Sequence, residues 1–313
     1  MKNKQPVLAI AGPTASGKTA LAVNLAHKYQ GEIISADSRQ VYKGMDVGTG
    51  KDLSDYSFKD KAGKQITIPY HLIDVCEPEL EFDLAKYLSL ANKALEMVSK
   101  KHKLPIVAGG SGLYLQALID NYQINSVGVN KELRKSLEKL SINDLLLKIK
   151  DKSIKFASNL NSSEKGNKRR LIRYLEVLES GESLGVKKEH PKFNFLILAV
   201  EAEREVIKEK IFKRLKSRLE EENMIEEVRG LHKRGVSWQR LESFGLEYKY
   251  ISLYLQNQLS YEEMFNKLYV AICRFSKRQM TWLRRWEKQG AKIYWIKNLK
   301  EADKKISQFL EAY

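Results

Sequence analysis

The chain has 313 residues, of which 43% are hydrophobic and 9% aromatic, and this apolar content excludes an intrinsically disordered chain. Its 55 Lys and Arg residues against 39 Asp and Glu residues give a formal net charge of +16. Residues 1–120 carry 15 basic and 13 acidic side chains, so an excess of +14 lies in residues 121–313. A cationic second part is typical of proteins that bind a polyanion, and equally of a lysine-rich solvated surface.

No apolar run approaches the roughly 18–20 residues that are needed to cross a bilayer, so no membrane span is predicted. The apolar residues 7–12 are too few for a signal peptide, and Pro13 and Lys18 interrupt the stretch that follows. A cytoplasmic location is therefore expected. Cys76 and Cys273 lack a CxxC spacing and a nearby histidine, which excludes a disulfide framework and a zinc site.

The first third of the chain alternates predicted strands and helices. A continuous apolar run over 7–12 predicts a buried strand, and an apolar stripe of helix formers over 18–29 predicts a helix. Further strands are expected at 32–37, 71–75 and 104–108, with a helix over about 83–101. This alternation predicts a parallel sheet wrapped by helices, with binding groups at the carboxyl ends of the strands.

The pattern changes after Asp120. Residues 130–179 are rich in lysine and helical in pattern, without a convincing strand, which predicts a helical insertion. The apolar run 193–200 predicts a core strand that returns to the sheet. The remaining predicted elements are a helix over about 203–222, a long helix over about 261–287, a strand at 292–296 and a terminal helix.

The segment between the first strand and the first helix matches the phosphate-loop motif G-x-x-x-x-G-K-[ST]. Its residues are Gly12, Pro13, Thr14, Ala15, Ser16, Gly17, Lys18 and Thr19. Backbone N–H groups of such a loop point at an anion, Lys18 adds a charge, and Thr19 can hold Mg²⁺. The predicted fold class is therefore α/β: a P-loop NTPase-like parallel sheet flanked by helices, formed by residues 1–120 and 190–313 with basic C-terminal helices, and a helical insertion domain at 121–189.

The carboxylates beyond this loop leave the bound phosphate undefined. A kinase or ATPase normally places a magnesium-holding acid at the end of a core strand. The strand that runs into Gly109 and Gly110 ends without one, although Asp74 keeps a nucleotide possible. Asp37 closes the second strand, where it is available as a base or metal contact, or as a simple cap of the following turn.

Five blocks of the sequence together resemble the bacterial tRNA dimethylallyltransferase family, also called tRNA isopentenyltransferases. The blocks are GPTASGKT at 12–19, SADSRQVYKGMDVGTGK at 35–51, HLID at 71–74, GGSGLY at 109–114 and KRQMTWLR at 277–284. The similarity extends from Val7 to about Trp286. The family transfers a dimethylallyl group from its diphosphate to the exocyclic amine of the adenosine on the 3′ side of the anticodon.

The resemblance implies that the phosphate loop holds an allylic diphosphate, with Mg²⁺ on Thr19. Lys18, the loop amides and an arginine then stabilise the departing diphosphate. By alignment of its surroundings Arg214 is that arginine, and the residue that matches Asp37 takes the proton from the adenine amine. Ser111 stands where the family usually has Thr, and its hydroxyl is expected to reach the reacting centre.

The same resemblance implies contacts with the tRNA anticodon stem-loop, for which the helix over 261–288 and the insertion supply cations. The apolar stripe of the helix over 261–288 is predicted to be Met264, Leu268, Ala271, Phe275, Trp282 and Trp286. Its seven cations on one side are Lys267, Arg274, Lys277, Arg278, Arg284, Arg285 and Lys288. The expected tRNA contacts are Ser38, Arg39, Gln40, Arg169, Arg170, Arg173, Lys277, Arg278, Gln279, Thr281 and Arg284. Gln40 is the expected reader of an everted adenine.

Several positions depart from the family pattern. Gly50 and Asp52 are expected to loosen the turn after Lys51, Asn223 replaces a usual glycine, and residues 243–248 replace an Ile-Gly-Tyr sequence. Three alternatives remain: an adenylate prenyltransferase, a P-loop kinase that acts on a small molecule, and a non-catalytic RNA-binding protein. The chain is expected to act as a monomer.

Overall fold

A computed structural model of the chain describes residues 4–59, 63–124, 127–182, 184, 187–188 and 190–313. These residues form two compact units. One comprises the chain up to Asp120 and from Pro191 onward, and the other runs from Asn121 to His190. No helix of the described residues is both long enough and apolar enough to cross a bilayer.

The first unit contains a six-stranded parallel sheet, which confirms the predicted sheet type. The strands of the chain are β1 Pro6–Ala11, β2 Gly31–Ser35, β3 Ser57–Lys59, β4 Gln65–Thr67, β5 Tyr70–His71, β6 Leu104–Gly109, β7 Tyr122–Gln123, β8 Lys187–Lys188, β9 Asn194–Val200 and β10 Ile293–Ile296. The sheet order is β10-β9-β1-β6-β2-β5. Strand β1 is central and its residues from Val7 onward are buried, as continuous apolar runs are in parallel sheets.

Helices cover the sheet and extend the first unit, and others build the second. They are α1 Lys18–Lys28, α2 Leu84–Lys100, α3 Gly112–Ile119, α4 Lys131–Leu137, α5 Ile142–Lys152, α6 Ile154–Asn159, α7 Ser162–Lys165, α8 Lys168–Glu179, α9 Arg204–Glu220, α10 Met224–Lys233, α11 Trp238–Ser243, α12 Leu246–Leu255, α13 Tyr261–Lys288 and α14 Leu299–Leu310. Helices α9 to α13 share an apolar core with the segment after β2. This packing brings α9, α12 and α13 to the side of the sheet where β1 and β2 end.

The strand predicted at 71–75 is wrong beyond His71. Leu72 and Asp74 have φ of 64° and 55°, which no β-strand permits. Their backbone instead follows the loop after β2, since Asp74 N–H donates to Gln40 O at 3.1 Å and Val75 N–H to Val41 O at 2.8 Å. The periodicity also gave no indication of the β3–β4 hairpin, α3, or helices α10 to α12.

The second unit is helical over α4 to α8, as its sequence pattern predicts. A small apolar core holds it together, including Leu145, Ile149 and Leu171. Glu176 is buried on α8 and receives hydrogen bonds from Arg134 Nε at 2.8 Å and Arg173 Nη1 at 3.2 Å. The short pairing of β7 with β8 was not predicted.

The long helix α13 packs on a different stripe from the predicted one. Its buried residues are Met264, Leu268, Ile272, Ser276, Gln279, Leu283 and Trp286. Ala271, Phe275 and Trp282 of the predicted stripe are only half-buried. The buried face therefore includes two polar residues in its middle, where the helix passes the phosphate loop.

Candidate active site

The glycine-rich loop between β1 and α1 has the geometry of a phosphate-binding loop. Ala15 and Gly17 have left-handed φ of 62° and 84°, and Gly17 is the N-cap of α1. No side chain of the described residues caps this helix, and the buried Ser16 Oγ has no hydrogen-bond partner among them. The free N–H groups at the positive end of α1 therefore form a site for an anion.

A cavity of about 370 Å³ lies beside this loop, at the carboxyl ends of β1, β2 and β6. Its size is in the range of small-ligand sites. Five of the charged side chains in its lining are cationic and two are acidic. These seven are Lys18, Arg39, Arg214, Arg218 and Arg278, with Asp37 and Glu247. The cavity thus brings the predicted phosphate-binding and proton-accepting residues together in one space.

Lys18 is half-buried in the wall of this cavity. Burial lowers the pKa of Lys18 to about 8, Asp37 partly offsets this effect, and the charge of Arg214 adds to it. Its Nζ lies 3.4 Å from Pro13 O. Because a bound anion favours the charged amine, ligand binding must raise this pKa again.

We therefore expect the wild type to take up more protons than Lys18→Arg does on binding inorganic diphosphate, by about half a proton per site at pH 8 and by almost none at pH 6.5. Above pH 8 the affinity falls, because the amine must first be protonated. Calorimetry in two buffers of different ionisation enthalpy measures the uptake. In Lys18→Arg the guanidinium stays charged, so the difference in uptake reports Lys18, whereas equal uptake by both proteins would assign the proton to another group.

Asp37 combines the two functions that the sequence left open. Its Oδ1 accepts a hydrogen bond from Arg39 N–H at 2.8 Å, which caps the turn after β2. Its Oδ2 has no hydrogen-bond partner among the described residues, and the residue lines the cavity. Ser111 Oγ accepts from Ser38 N–H at 3.0 Å, so its hydroxyl holds the turn that carries Asp37.

The Gln40 amide makes two contacts within the protein. Its Oε1 accepts from Ser35 Oγ at 2.9 Å, and its Nε2 donates to Gly50 O at 2.9 Å. An amide has a second N–H and a second lone pair, so one donor and one acceptor are left for a purine edge. The predicted reading of adenine by Gln40 therefore stays a prediction, with the side-chain position fixed by Ser35 and Gly50.

Gln279 is 8% exposed and its amide joins two segments of the cavity wall. Its Oε1 accepts from Thr14 N–H at 2.8 Å, and its Nε2 donates to Gly110 O at 2.9 Å. These contacts connect α13 to the phosphate loop and to the turn after β6. The geometry gives Gln279 a structural part in the cavity wall, in addition to the tRNA contact that the family resemblance implies.

Replacing Gln279 with Ala should raise the KM for the donor about tenfold, because the phosphate loop loses one of its supports. Loss of two buried hydrogen bonds should also lower the free energy of unfolding by about 1–3 kcal/mol. Steady-state kinetics and urea unfolding measure these changes. A loss of tRNA affinity with an unchanged donor KM would show instead that Gln279 acts by contacting tRNA.

Arg214 lies at the phosphate loop, as predicted. Its Nη2 donates to Thr14 Oγ1. Burial lowers the pKa of Arg214 to about 10, and the charge of Arg218 adds to this effect. Arg218 and Glu247, which line the same cavity, were not predicted as site residues. Their signal was their position: Arg218 follows Arg214 by one helical turn, and Glu247 lies in the segment that departs from the family pattern.

The Lys51 side chain is anchored to the residues before it, and the expected loosening of the turn after Lys51 stays a prediction. Lys51 is fully buried, and its Nζ donates to Tyr42 O at 2.7 Å, to Asp46 Oδ1 at 2.6 Å and to Asp74 Oδ1. Asp74 thus pairs with a lysine and does not line the cavity. Asp52 has φ of 43°, a conformation that proline cannot adopt.

The other side of this loop is held by Glu227 of α10. Its carboxylate accepts the N–H groups of Asp46 at 2.7 Å, Val47 at 2.6 Å and Gly48 at 3.1 Å. The hydroxyl of Tyr248 donates to the same carboxylate at 2.7 Å. The departure at 243–248 thus supplies a tyrosine that fixes the loop. Asn223 has φ of 58°, so it takes the left-handed conformation that its glycine-like position predicts.

The seven cations of α13 are all exposed, and the described neighbours of some restrain them. Arg284 Cζ lies 3.8 Å from the ring centroid of Trp295, and Arg285 Cζ lies 4.5 Å from that of Trp282. A basic groove of about 590 Å³ lies between α12 and α13. Its lining includes Lys249, Tyr250, Lys267, Arg274 and Arg278. Arg278 also lines the cavity, so the groove adjoins it.

In the second unit the three predicted arginines differ. Arg169 and Arg170 are exposed on α8. Arg173 donates to Val127 O at 2.8 Å and to Glu176 Oε2 at 3.2 Å, so it stabilises its own unit. Two of the three therefore have the exposure that a contact with RNA phosphates requires.

The residues around Thr19 are chemically suited to Mg²⁺. The Thr19 hydroxyl and the Asp37 carboxylate are hard oxygen donors, and the Thr19 hydroxyl makes no hydrogen bond with the described residues, although Asp37 lines the cavity and Thr19 does not. No cluster of three or more His, Cys, Asp or Glu side chains among those residues would hold a metal. An ion here would therefore depend on phosphate oxygens and water for most of its coordination, as Mg²⁺ commonly does. Both cysteines are free.

The fold and the cavity define an α/β phosphate-loop enzyme of the group-transfer class, without an acid at the end of β6. The family model described as IPP transferase matches residues 40–286, and the model described as isopentenyl transferase matches residues 5–59. The chain belongs to this family of isopentenyl and dimethylallyl transferases, which confirms the resemblance seen in the five sequence blocks.

Curated relatives are similar over nearly the whole chain. The chain is 43% identical to tRNA dimethylallyltransferase 1 of Syntrophus aciditrophicus over 298 residues, which cover 95% of this chain and 94% of that protein. It is also 43% identical to tRNA dimethylallyltransferase 2 of Treponema denticola, with 95% and 97% covered.

Solved structures agree. A tRNA isopentenylpyrophosphate transferase from Bacillus halodurans is 29% identical, with a TM-score of 0.69 over 99% of this chain and 96% of that one. The structure of a eukaryotic dimethylallyltransferase acting on tRNA has a TM-score of 0.75 at 22% identity. The similarity covers 98% of this chain and 77% of that one. The second similarity supports the fold alone.

Proposed function

We propose that the chain transfers a dimethylallyl group from dimethylallyl diphosphate to the exocyclic N6 amine of the adenosine on the 3′ side of the anticodon in tRNA. The observation that carries this proposal is the cavity itself. It joins an anion site at the start of α1 to a carboxylate oxygen without a hydrogen-bond partner, and it is lined by five cations. The tRNA dimethylallyltransferase relatives support the choice of donor and acceptor.

Departure of the diphosphate is the step that the loop assists. The C1–O bond of the donor breaks, its electron pair leaves with the diphosphate, and C1 becomes cation-like. Lys18, Arg214 and the N–H groups at the start of α1 stabilise the negative charge on the leaving oxygens. Mg²⁺ held by Thr19 would screen the same charge when it is bound.

Attack by adenine requires a proton acceptor. The N6 lone pair is drawn into the purine ring, so the amine is a poor nucleophile. As N6 forms its bond to C1, one N6 proton passes to Oδ2 of Asp37, which leaves a neutral secondary amine. Ser111 keeps the turn of Asp37 in place during this transfer. The base must be everted from the anticodon stack to reach the cavity.

The RNA itself is bound outside the cavity. We assign the anticodon stem-loop to the cationic side of α13 and to the basic groove that adjoins the cavity at Arg278. Arg169 and Arg170 of the second unit are further phosphate contacts. The chain acts on this substrate as a cytoplasmic monomer.

One incubation distinguishes this function from its alternatives. Purified protein, dimethylallyl diphosphate and Mg²⁺ are mixed with unmodified tRNA, with AMP, or with ATP and no RNA. We expect N6-dimethylallyladenosine in the digested tRNA and no product from AMP. Product from AMP alone would indicate an adenylate prenyltransferase, and ATP turnover without a prenylated product would indicate a kinase.

A further inference from the structure

Arg218 is a buried arginine at the donor cavity that the mechanism above does not use. It is 4% exposed and lies on α9 one helical turn after Arg214. Both arginines line the cavity together with Thr14 and Lys18. Because residues four apart lie on the same helix face, the two guanidinium groups approach the cavity from the same side.

Only one nitrogen of the Arg218 guanidinium forms hydrogen bonds with the described residues. Its Nη2 donates to Asp52 Oδ1 at 2.9 Å and to Asp52 Oδ2 at 3.0 Å. Its Nε is buried without a hydrogen-bond partner among the described residues, and it forms only a long ion pair with Glu222 Oε2 at 3.9 Å. A guanidinium has five N–H donors, so the Asp52 contact leaves donors at Nε and Nη1.

The backbone leaves room for this side chain. Gly50 has φ of 64°, and a Cβ atom there would lie 2.7 Å from Arg218 Nη2 and 3.0 Å from Nη1. Any larger residue at position 50 would therefore displace the guanidinium. The carbonyl of Gly50 also holds Gln40, so Arg218 lies between the donor cavity and the loop of the expected base reader.

Asp52 and, at 3.9 Å, Glu222 pair with Arg218, but the cationic charge of the cavity as a whole is only partly compensated. Arg214, Arg218 and Lys18 share one cavity, and the like charge of Arg218 lowers the pKa of Arg214. Glu247 lies beside both arginines, but it forms no ion pair within 4 Å with any described residue. Burial raises the pKa of Glu247, so it offsets the two guanidinium charges less than an ordinary carboxylate does.

We propose that Arg218 is a second donor-binding arginine, which contacts the second phosphate group of the allylic diphosphate and makes the cavity select a diphosphate over a monophosphate. The N–H groups at the start of α1 and Lys18 are sufficient for one phosphate group. The arginines of α9 are a separate set of donors for the other. Asp52 holds Arg218 in position and leaves its remaining donors for the ligand. This inference deepens the proposed function and rests on it for the identity of the donor.

The test compares inorganic diphosphate with inorganic phosphate as probes, by calorimetry on the full chain. Arg218→Met combined with Asp52→Asn removes the buried charge and its partner together, so no unpaired carboxylate remains. We expect this variant to bind diphosphate about 10- to 100-fold more weakly and phosphate within about threefold of the wild type. Equal losses for both probes, or no loss for either, would overturn the proposal.

Arg218→Lys keeps the pair with Asp52 but has fewer donors, and it serves if the double variant does not fold. It should lose diphosphate affinity and keep phosphate affinity, and wild-type affinity for both would again contradict the proposal. Prenyl transfer by the wild type is assayed separately. Diphosphate selection through Arg218 without prenylated product would reject the proposed function alone, whereas prenylated product with unchanged diphosphate binding in the variants would reject only the role of Arg218.

Discussion

Replacing Asp37 with Asn should lower the single-turnover rate of prenyl transfer by about 10²- to 10⁴-fold. The amide oxygen of Asn can still accept the Arg39 N–H, so the turn after β2 keeps its shape. The amide cannot take the N6 proton, and the transfer therefore loses its base. Rapid mixing of the protein with radiolabelled dimethylallyl diphosphate and an anticodon stem-loop measures the rate, and filter binding should show an unchanged affinity for the RNA.

Asp55→Asn is the matched control for this substitution. Asp55 belongs to the short 3₁₀ turn at Leu53–Tyr56, close in sequence to the active-site loop, and does not line the cavity. Its rate should stay within about twofold of the wild type, as surface substitutions usually do. A comparable rate in Asp37→Asn would remove Asp37 from the role of base and point to a substrate phosphate oxygen as the proton acceptor.

Replacing Lys18 with Met should lower kcat by about 10²- to 10³-fold and weaken donor binding, because the leaving diphosphate loses its nearest point charge. Methionine keeps most of the volume of the buried stem, so the loop should remain folded. The measurement is kcat/KM for dimethylallyl diphosphate at saturating tRNA, at pH 7, where Lys18 of the wild type is protonated.

Lys277→Met supplies the comparison on the RNA side. Lys277 is an exposed cation of α13, so its loss should weaken tRNA binding and flatten the salt dependence of that binding while leaving the donor KM unchanged.

If Lys18→Met kept kcat/KM for the donor within threefold of the wild type, the phosphate loop would not be the donor site.

The parallel sheet and the phosphate loop could be predicted from the sequence because local sequence patterns determine them. The run from Val7 to Ala11 is apolar on both faces, which is typical of a buried parallel strand. Gly17 followed by Lys18 and Thr19 is typical of a phosphate loop. The segment 71–75 gave a shorter and weaker strand pattern, and its backbone is set by distant partners. Asp74 pairs with Lys51 and donates to Gln40 O, and these contacts override the strand pattern.

The interior of the active site was less predictable, because it depends on contacts far apart in sequence. Ser276 and Gln279 interrupt the apolar face of α13, so periodicity assigned the stripe to Phe275 and Trp282. The sequence marked Gln279 as one residue of a basic block, whereas its amide spans 265 positions to reach Thr14. The sequence did not distinguish Arg218 from the other charged residues of α9, because its partner Asp52 is 166 positions away in the chain.

The central claim is that the loop at 12–19 binds the leaving group of an allylic donor within reach of an everted purine. A crystal structure with an unreactive thiolo analogue of dimethylallyl diphosphate and an anticodon stem-loop tests it most directly. We expect the diphosphate on the N–H groups at the start of α1, and adenine N6 within about 3 Å of Asp37. A purine still stacked in the stem-loop, with the analogue bound elsewhere, would contradict the claim.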